Sequence, residues 1–228
     1  MTKTKVRSAE PADDLDVPEA WRKRPWVPLA IVGVMIAVVL GAGYAVGQAL
    51  KPTVPAALSK CTTTSPQIGT RLYAGLQPMC IDVKKKYEAT VVTTAGSFVI
   101  ELTPSTAPVT VNNFVVLALN GFYNGLTFWR VESWVVQTGD PGGNGRGGPG
   151  YTLPEEPSST AWGPSSVGMA RPPGGPINGS QFFIETQQWP AGPPTENYNQ
   201  FGTVSSGLDK VQSLTPSDRV ISIAIKVS

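Results

Sequence analysis

One arginine and two glutamines lie in strand-like segments that are otherwise apolar and far apart in the sequence. Arg130 and Gln137 belong to residues 128–140, and Gln181 belongs to residues 178–184. A guanidinium is rarely left among apolar neighbours without a partner or a task. Side-chain amides can both donate to and accept from a peptide group. The two segments therefore predict the halves of one surface that holds a polypeptide backbone.

The composition limits the chemistry that this surface could perform. The 228 residues include no histidine, 15% are charged, and the formal net charge is +2. Without histidine, Ser-His-Asp and Cys-His nucleophile systems and most catalytic zinc sites are excluded. The basic residues are scattered along the chain, which argues against a nucleic-acid-binding surface. We expect no metal, no cofactor and no nucleic-acid partner.

Two other segments could suggest catalysis, but their patterns argue against it. The glycine-rich residues 140–150 lack the Gly-Lys-Ser/Thr of a phosphate-binding loop, and no helix pattern follows them. A turn that brings backbone close to a ligand or to a neighbouring strand explains them better. Glu155 and Glu156 are adjacent and would point apart on a strand or loop, so they do not indicate a hydrolase pair.

The N-terminal part of the chain predicts a membrane anchor. Residues 1–26 are polar and mixed in charge, as in a disordered tail. Residues 27–50 carry no charge, and as a transmembrane helix they would span a bilayer core of about 30 Å. Because a basic cluster at 22–24 precedes them, the positive-inside rule predicts a cytoplasmic tail and an extracytoplasmic remainder on a single-pass protein of the cell membrane. A cleaved secretory signal is the alternative, and it would export the same remainder.

The segment after the predicted anchor predicts a linker. Residues 51–80 contain several prolines and no clear period, as in a semi-extended extracytoplasmic connection. The only cysteines of the chain, Cys61 and Cys80, lie in this segment. In an exported protein an isolated pair most often forms a disulfide, and two free thiols are the alternative.

From about residue 87 onward, the pattern predicts short strands and two helices. The predicted elements are a hairpin of 88–92 and 97–102, a helix that is capped by Ser105 or Thr106 and ended by residues 120–121, a second short helix over 208–214 and a last strand over 220–227. The first helix is predicted from an apolar stripe at helical spacing. The last strand is predicted from alternation, with Ile221, Ile223 and Ile225 on one face. This mainly β pattern predicts a closed or nearly closed barrel with helical caps.

Five segments within residues 87–228 resemble, in the right order, the cyclophilin family of peptidyl-prolyl cis/trans isomerases. They are residues 96–102, 107–114, 121–128, 137–141 and 178–184. The resemblance implies an isomerase domain over 81–228, built as a closed eight-stranded antiparallel barrel that is capped by two helices. It also implies a peptide groove on the outer face and proline-containing polypeptides as substrates, and we expect a monomer that assists the folding of exported or cell-surface proteins.

The resemblance also assigns roles to residues by position. Arg130 would be the catalytic arginine, Trp134, Val135 and Phe183 would line the proline pocket, and Gln137 and Gln181 would hold backbone groups. Ala170 and Arg171 would line the groove, Gly145 would lie near a neighbouring specificity pocket, Trp189 would stand at the pocket edge and Tyr198 over it. Rotation about an Xaa-Pro bond requires no proton transfer, so the absence of histidine is no obstacle.

The chain departs from the usual pattern of the family at several positions of this site. Trp129 stands where the family usually has histidine, and Glu132-Ser133 stand where it has Pro-Gly. Trp134-Val135 replace a Phe-Met pair, and Arg171 replaces an asparagine. The altered pocket keeps an alternative open, namely a peptide-binding module of the same fold with weak or no isomerase activity. A weaker third interpretation is a structural envelope protein.

Overall fold

The structure is a computed structural model, and it describes residues 54–192, 194 and 197–228. The predicted disordered tail, 1–26, and the predicted transmembrane helix, 27–50, lie outside the described residues. Among the residues that are described, no helix has both the length and the apolar character needed to cross a membrane.

The described residues form short strands and a few helices, which confirms the predicted mainly β class. In chain order the strands are β1 (Gln67–Gly69), β2 (Leu72–Tyr73), β3 (Tyr87–Thr93), β4 (Gly96–Leu102), β5 (Arg130–Glu132), β6 (Val135–Thr138), β7 (Thr152–Leu153), β8 (Ser166–Met169), β9 (Ile177–Asn178), β10 (Phe182–Glu185), β11 (Gln200–Ser206) and β12 (Val220–Val227). The helices are a 3₁₀ helix at Ala56–Thr62, α1 (Pro108–Leu119) and α2 (Leu208–Gln212).

Eight of the described strands form one antiparallel sheet in the order β12-β3-β4-β11-β8-β10-β6-β5. The prediction of a closed barrel is wrong in one respect, because within the described residues β5 and β12 are edges that do not pair as strands. With only three residues, β5 offers little backbone for such pairing. Thr127 and Arg219, just before the two edge strands, form an isolated antiparallel bridge instead. The sheet is therefore an open, curled half-barrel whose edges meet near one end.

The predicted hairpin and last strand are confirmed, with one correction. β3 pairs with β4 along its full length, and alternate residues of β3 are buried. The prediction that Ile221 shares a face with Ile223 and Ile225 is wrong, since Ile221 is 53% exposed and the other two are buried. A bulge between Val220 and Ser222 shifts the register of β12 against β3, and Val220 is buried instead.

Helix α1 confirms the predicted apolar stripe and packs against the sheet. The ring of Phe114 meets that of Phe182 on β10 edge-on, with the centroids 5.5 Å apart. The carboxylate of Glu156 accepts hydrogen bonds from the backbone N–H groups of Val109 and Thr110, at 2.9 and 2.8 Å. A carboxylate at this position satisfies N–H groups that have no helical partner. Glu156 is thus a cap of α1.

The predicted linker differs from the structure over its described part, residues 54–80. The 3₁₀ helix there buries Leu58 and Cys61 completely in the main core, and β1 pairs with β2. Cys61 and Cys80 form a disulfide. The backbone N–H of Cys80 donates a hydrogen bond to Oδ1 of Asn112 on α1 at 2.8 Å. The buried residues of this segment are irregularly spaced in the sequence. A packed part of the domain was therefore predicted to be a linker.

Removal of the disulfide is expected to lower the free energy of unfolding by about 3 kcal/mol, because a cross-link over such a loop restricts the unfolded chain. Cys61 and Cys80 are 19 residues apart. Urea unfolding of a double variant, Cys61→Ser and Cys80→Ser, should show a lower midpoint than the wild type. The reduced wild-type protein is the control and should behave like the variant. Equal midpoints for oxidised wild type and variant would contradict the prediction.

Candidate active site

The predicted site residues converge on the outer face of β5, β6 and β10. Arg130 on β5 pairs in register with Gln137 on β6, and Gln137 pairs with Phe183 on β10. Residues opposite each other on neighbouring strands place their side chains on the same face. The sequence neighbour Val136 points to the other face and lies in the main core. The strand alternation therefore separates a core face from a site face.

Two adjoining cavities of about 390 and 320 Å³ run along the site face. Both are lined by Arg130, Gln137, Ala170 and Arg171. The larger one, called the polar cavity below, is also lined by Gly145 and Gln181. The smaller one, called the aromatic cavity, is also lined by Trp134, Val135, Phe183, Trp189 and Tyr198. The structure thus brings Arg130 and all the predicted substrate-binding residues to one groove.

The aromatic cavity has an apolar floor and walls of aromatic rings. Val135, Ala170 and Phe183 form the floor, and each is at most 7% exposed. The rings packed around this floor belong to Trp134, Trp162, Trp189 and Tyr198. The ring centroids of Trp134 and Trp189 are 4.7 Å apart, and those of Phe183 and Tyr198 are 5.5 Å apart. Such a pocket can enclose a small apolar ring and exclude water from it.

Trp162 packs against the floor of the aromatic cavity, and the sequence-based prediction missed it. Its ring stacks on that of Phe183 with the centroids 5.5 Å apart and an interplanar angle of 21°. Gly168 makes room for this ring, since a Cβ at that position would lie 2.5 Å from Cη2 of Trp162. The available signal was a tryptophan without an assigned role in a loop rich in small polar residues, glycine and proline.

Arg130 has one side of its guanidinium fixed and the other side unpaired. Its Nε donates to Oε1 of Glu132 at 2.7 Å, and its Cζ lies 5.2 Å from the ring centroid of Trp134. Within the part of the chain that the structure describes, Nη1 and Nη2 of Arg130 have no hydrogen-bond partner. The side chain is 34% exposed. Arg130 lines both cavities, and these two cationic donors are the ones left for a ligand.

The two glutamines form a hydrogen-bonded pair beside Arg130. Nε2 of Gln137 donates to Oε1 of Gln181 at 2.9 Å. Nε2 of Gln181 donates to the backbone oxygens of Gly145 and Gly147, at 3.1 and 2.7 Å. The amide of Gln181 is thus engaged with the protein's own glycine-rich loop. Among the described residues, Oε1 of Gln137 accepts no hydrogen bond, so it remains available to the N–H group of a bound peptide.

The glycine-rich loop forms one wall of the polar cavity, and Asp140 holds it in place. The carboxylate is 1% exposed and accepts hydrogen bonds from the backbone N–H groups of Gly142, Asn144 and Gly145 at 2.6–2.8 Å. Burial acts to raise the pKa of Asp140, but these backbone hydrogen bonds outweigh it and lower the pKa. Gly145 has φ 82°, and a Cβ there would lie 2.8 Å from Cη2 of Trp129. The loop is therefore a rigid wall.

Arg171 ties together two sides of the groove. Its Nε donates to the backbone oxygen of Gly175, and its Nη1 donates to Oε1 of Glu155, each at 2.7 Å. Nη1 also donates to the backbone oxygen of Asn197 at 2.8 Å. These bonds hold the loop after Arg171 against the segment that carries Tyr198. The hydrogen bond from Arg171 lowers the pKa of Glu155. Glu155 is thus an ion-pair partner, whereas the adjacent Glu156 caps a helix.

A buried carboxyl group lies beside the aromatic cavity, and no motif indicated it. Glu185, the last residue of β10, pairs in register with Val135 of the cavity floor and is 0% exposed. Its carboxyl oxygens have no hydrogen-bond partner among the described residues. Burial raises the pKa of Glu185 to about 7, because removal from water disfavours the charged form.

Comparisons with known proteins agree with this geometry. Residues 89–224 match the family model described as cyclophilin type peptidyl-prolyl cis-trans isomerase/CLD. The chain is 42% identical over 123 residues to peptidyl-prolyl cis-trans isomerase B of Bacillus subtilis (strain 168), covering 52% of this chain and 82% of that protein. It is 38% identical over 143 residues to a peptidyl-prolyl cis-trans isomerase of Synechococcus elongatus, covering 60% and 95%.

Solved structures show the same likeness. A crystal structure of a cyclophilin type peptidyl-prolyl cis-trans isomerase of Cryptosporidium parvum resembles the chain with a TM-score of 0.56 at 25% identity, covering 62% of this chain and 98% of that one. A second crystal structure of that protein, in the presence of the dipeptide Ala-Pro, gives a TM-score of 0.56 at 26% identity and covers 61% and 98%.

Proposed function

The chain belongs to the family of cyclophilin-type peptidyl-prolyl cis-trans isomerases, and on this premise we propose that Arg130 is the group that catalyses rotation of Xaa-Pro bonds in its groove. One observation carries the proposal. The unpaired side of the Arg130 guanidinium borders an apolar, ring-lined cavity that can hold a proline ring. Catalysis by this arrangement is electrostatic and needs no proton relay.

The physical problem is the resonance of the peptide bond. Rotation about the C–N bond faces a barrier of about 18–20 kcal/mol, and without a catalyst the step takes tens to hundreds of seconds. In the twisted state the prolyl nitrogen loses its conjugation and regains a lone pair that can accept a hydrogen bond. Arg130 would donate to this nitrogen far more strongly in the twisted state than in the planar one. Such a differential interaction lowers the barrier.

The other groove residues fix the peptide while the bond rotates. The proline ring would occupy the aromatic cavity above Phe183, and Oε1 of Gln137 would accept a backbone N–H of the peptide. Gln181 contributes indirectly, because its amide holds the wall formed by Gly145 and Gly147. The groove is complete within one chain, which supports a monomeric enzyme.

The isomerase reaction is tested with a protease-coupled assay on Xaa-Pro tetrapeptides and the full-length protein. We expect acceleration that saturates with peptide concentration and falls when a proline-containing competitor is added. Binding of the peptide without acceleration would favour the alternative, a binding module of the same fold.

The proposed substrates are exported or cell-surface polypeptides, and the proposed location is outside the cytoplasm, on a single-pass anchor. The uncharged stretch 27–50 behind a basic cluster supports this location. The Cys61–Cys80 disulfide also supports it, because such bonds persist in oxidising compartments.

Protease added to intact cells that express the full-length protein tests the proposed location. The domain is expected to be digested from outside and, before digestion, to remain with the membrane fraction in alkaline carbonate. A Val38→Arg, Val39→Arg variant is the matched control and should lose membrane retention, because charges in the bilayer core are costly. A wild-type domain that stays protected in intact cells and is digested only after lysis would contradict the proposal.

A further inference from the structure

We infer that Glu132 is a positioning residue for Arg130, an inference that rests on the proposed role of Arg130 in catalysis. Glu132 is two residues after Arg130 on β5, so both side chains lie on the same face of the strand. It stands in a segment where the sequence departs from the usual pattern of the family. The guanidinium of Arg130 is therefore oriented by a residue that the usual pattern of the family does not have at this position.

The carboxylate of Glu132 holds two groove residues at once. Oε1 accepts the hydrogen bond from Nε of Arg130 at 2.7 Å, and Oε2 accepts one from Nε1 of Trp134 at 2.9 Å. The guanidinium of Arg130 in turn lies over the ring of Trp134. The three side chains close a triangle, and Trp134 is itself a wall of the aromatic cavity. The position of the cation is thereby tied to the pocket that receives the proline.

The value of this contact lies in its geometry, since its contribution to folding is small. The side chains of Arg130 and Glu132 are 34% and 46% exposed, and exposed ion pairs contribute only about 0–1 kcal/mol to stability. A half-exposed arginine would otherwise sample many rotamers. Catalysis by a pre-placed charge requires one of them. Because Glu132 engages Nε alone, it restricts the rotamer of Arg130 and leaves Nη1 and Nη2 to a ligand in the groove that Arg130 lines.

Two opposite effects make the inference testable. A negative charge at Glu132 partly neutralises Arg130, so if charge alone governed the rate, Glu132→Gln should be faster than the wild type. If positioning governs, the same change should be slower, because glutamine replaces one of the two acceptor oxygens by an NH2 group, which would face a donor of Arg130 or Trp134. We expect kcat to fall on the order of tenfold, with KM changed less than twofold, since small misplacements of a catalytic group are costly.

The experiment measures kcat and KM of the full-length protein for Glu132→Gln and Glu132→Asp, with Glu88→Gln as the matched control. Glu88 also forms a surface ion pair, with Lys226, and its side chain is 44% exposed. The control should keep the wild-type kcat. Glu132→Asp, which keeps both acceptor oxygens, should recover part of the loss. A Glu132→Gln protein as fast as or faster than the wild type would overturn the inference.

A double-mutant cycle separates this inference from the proposed function. In an Arg130→Ala background, Glu132→Gln should have no further effect on kcat, because there is no guanidinium left to position. An equal tenfold loss in that background would show that Glu132 acts through Trp134 alone and would overturn the inference. If Arg130→Ala itself kept full activity, the catalytic role of Arg130 would fail and the positioning role of Glu132 with it.

Discussion

Arg130→Ala is expected to lower kcat/KM by about 10²- to 10³-fold, the range seen when one pre-placed transition-state donor is removed. The reason is that Arg130 lines both cavities and that its cationic donors Nη1 and Nη2 have no partner among the described residues. Peptide affinity should change much less, because the aromatic cavity and Gln137 remain. The free energy of unfolding should change by less than about 1 kcal/mol, since the lost ion pair is exposed.

Two further variants sharpen this prediction. Arg130→Lys keeps the charge but loses the planar fork, so it should recover only a small part of the activity. Arg219→Ala removes an exposed arginine whose Nη1 donates to the backbone oxygen of Gly125, away from the groove, and it should keep the wild-type rate. Unchanged isomerase activity in Arg130→Ala would contradict the proposed electrostatic mechanism.

Glu185→Gln is expected to stabilise the protein at pH 8 by about 3 kcal/mol relative to its effect at pH 4, because the pKa of Glu185 is raised well above the ordinary glutamate value. Burial raises the pKa of Glu185 to about 7, above the ordinary glutamate value. The folded state thus binds this proton more tightly than the unfolded state does. The stabilising contribution of the protonated carboxyl is complete below pH 4 and is lost as the pH rises to 7. Glutamine cannot ionise, so the variant escapes this loss.

The measurement is urea unfolding of the wild type and Glu185→Gln at several pH values between 4 and 8. The difference between the two proteins should grow with pH and level off above 7. Acids with lowered pKa, such as Asp140, destabilise both proteins equally as the pH falls, so their effect cancels. A flat difference for Glu185→Gln would contradict the prediction.

The strands and helices whose apolar residues recur at a clear period were predictable from the sequence. Whether the strands close into a barrel was not. The hairpin of β3 and β4 and the apolar stripe of α1 follow from local spacing. Closure of the barrel depends on how the short β5 meets β12, two segments that are distant in the sequence. The bulge at Val220 could not be predicted for the same reason, because it depends on how β12 pairs with the distant strand β3. The packing of residues 54–80 was missed since Leu58 and Cys61 have no periodic neighbours.

The groove itself was predicted more completely than the contacts within it. Arg130, Gln137 and Phe183 lie in motif segments, and strand register brings them together. Trp162 stacks on Phe183 from a loop without a motif, in space that Gly168 leaves open. The partner of Gln181, likewise, is set by the path of the glycine-rich loop. Side-chain partners across loops depend on tertiary geometry that a single sequence does not carry.

The most direct test of the account is NMR exchange spectroscopy on an Ala-Pro peptide with catalytic amounts of the full-length protein. The wild type should produce exchange peaks between the cis and trans signals and leave their equilibrium ratio unchanged. Arg130→Ala should still shift the peptide signals through binding, with the exchange peaks reduced to the uncatalysed level. A wild-type protein that binds without exchange, or an Arg130→Ala protein that exchanges the peptide as fast as the wild type, would contradict the account.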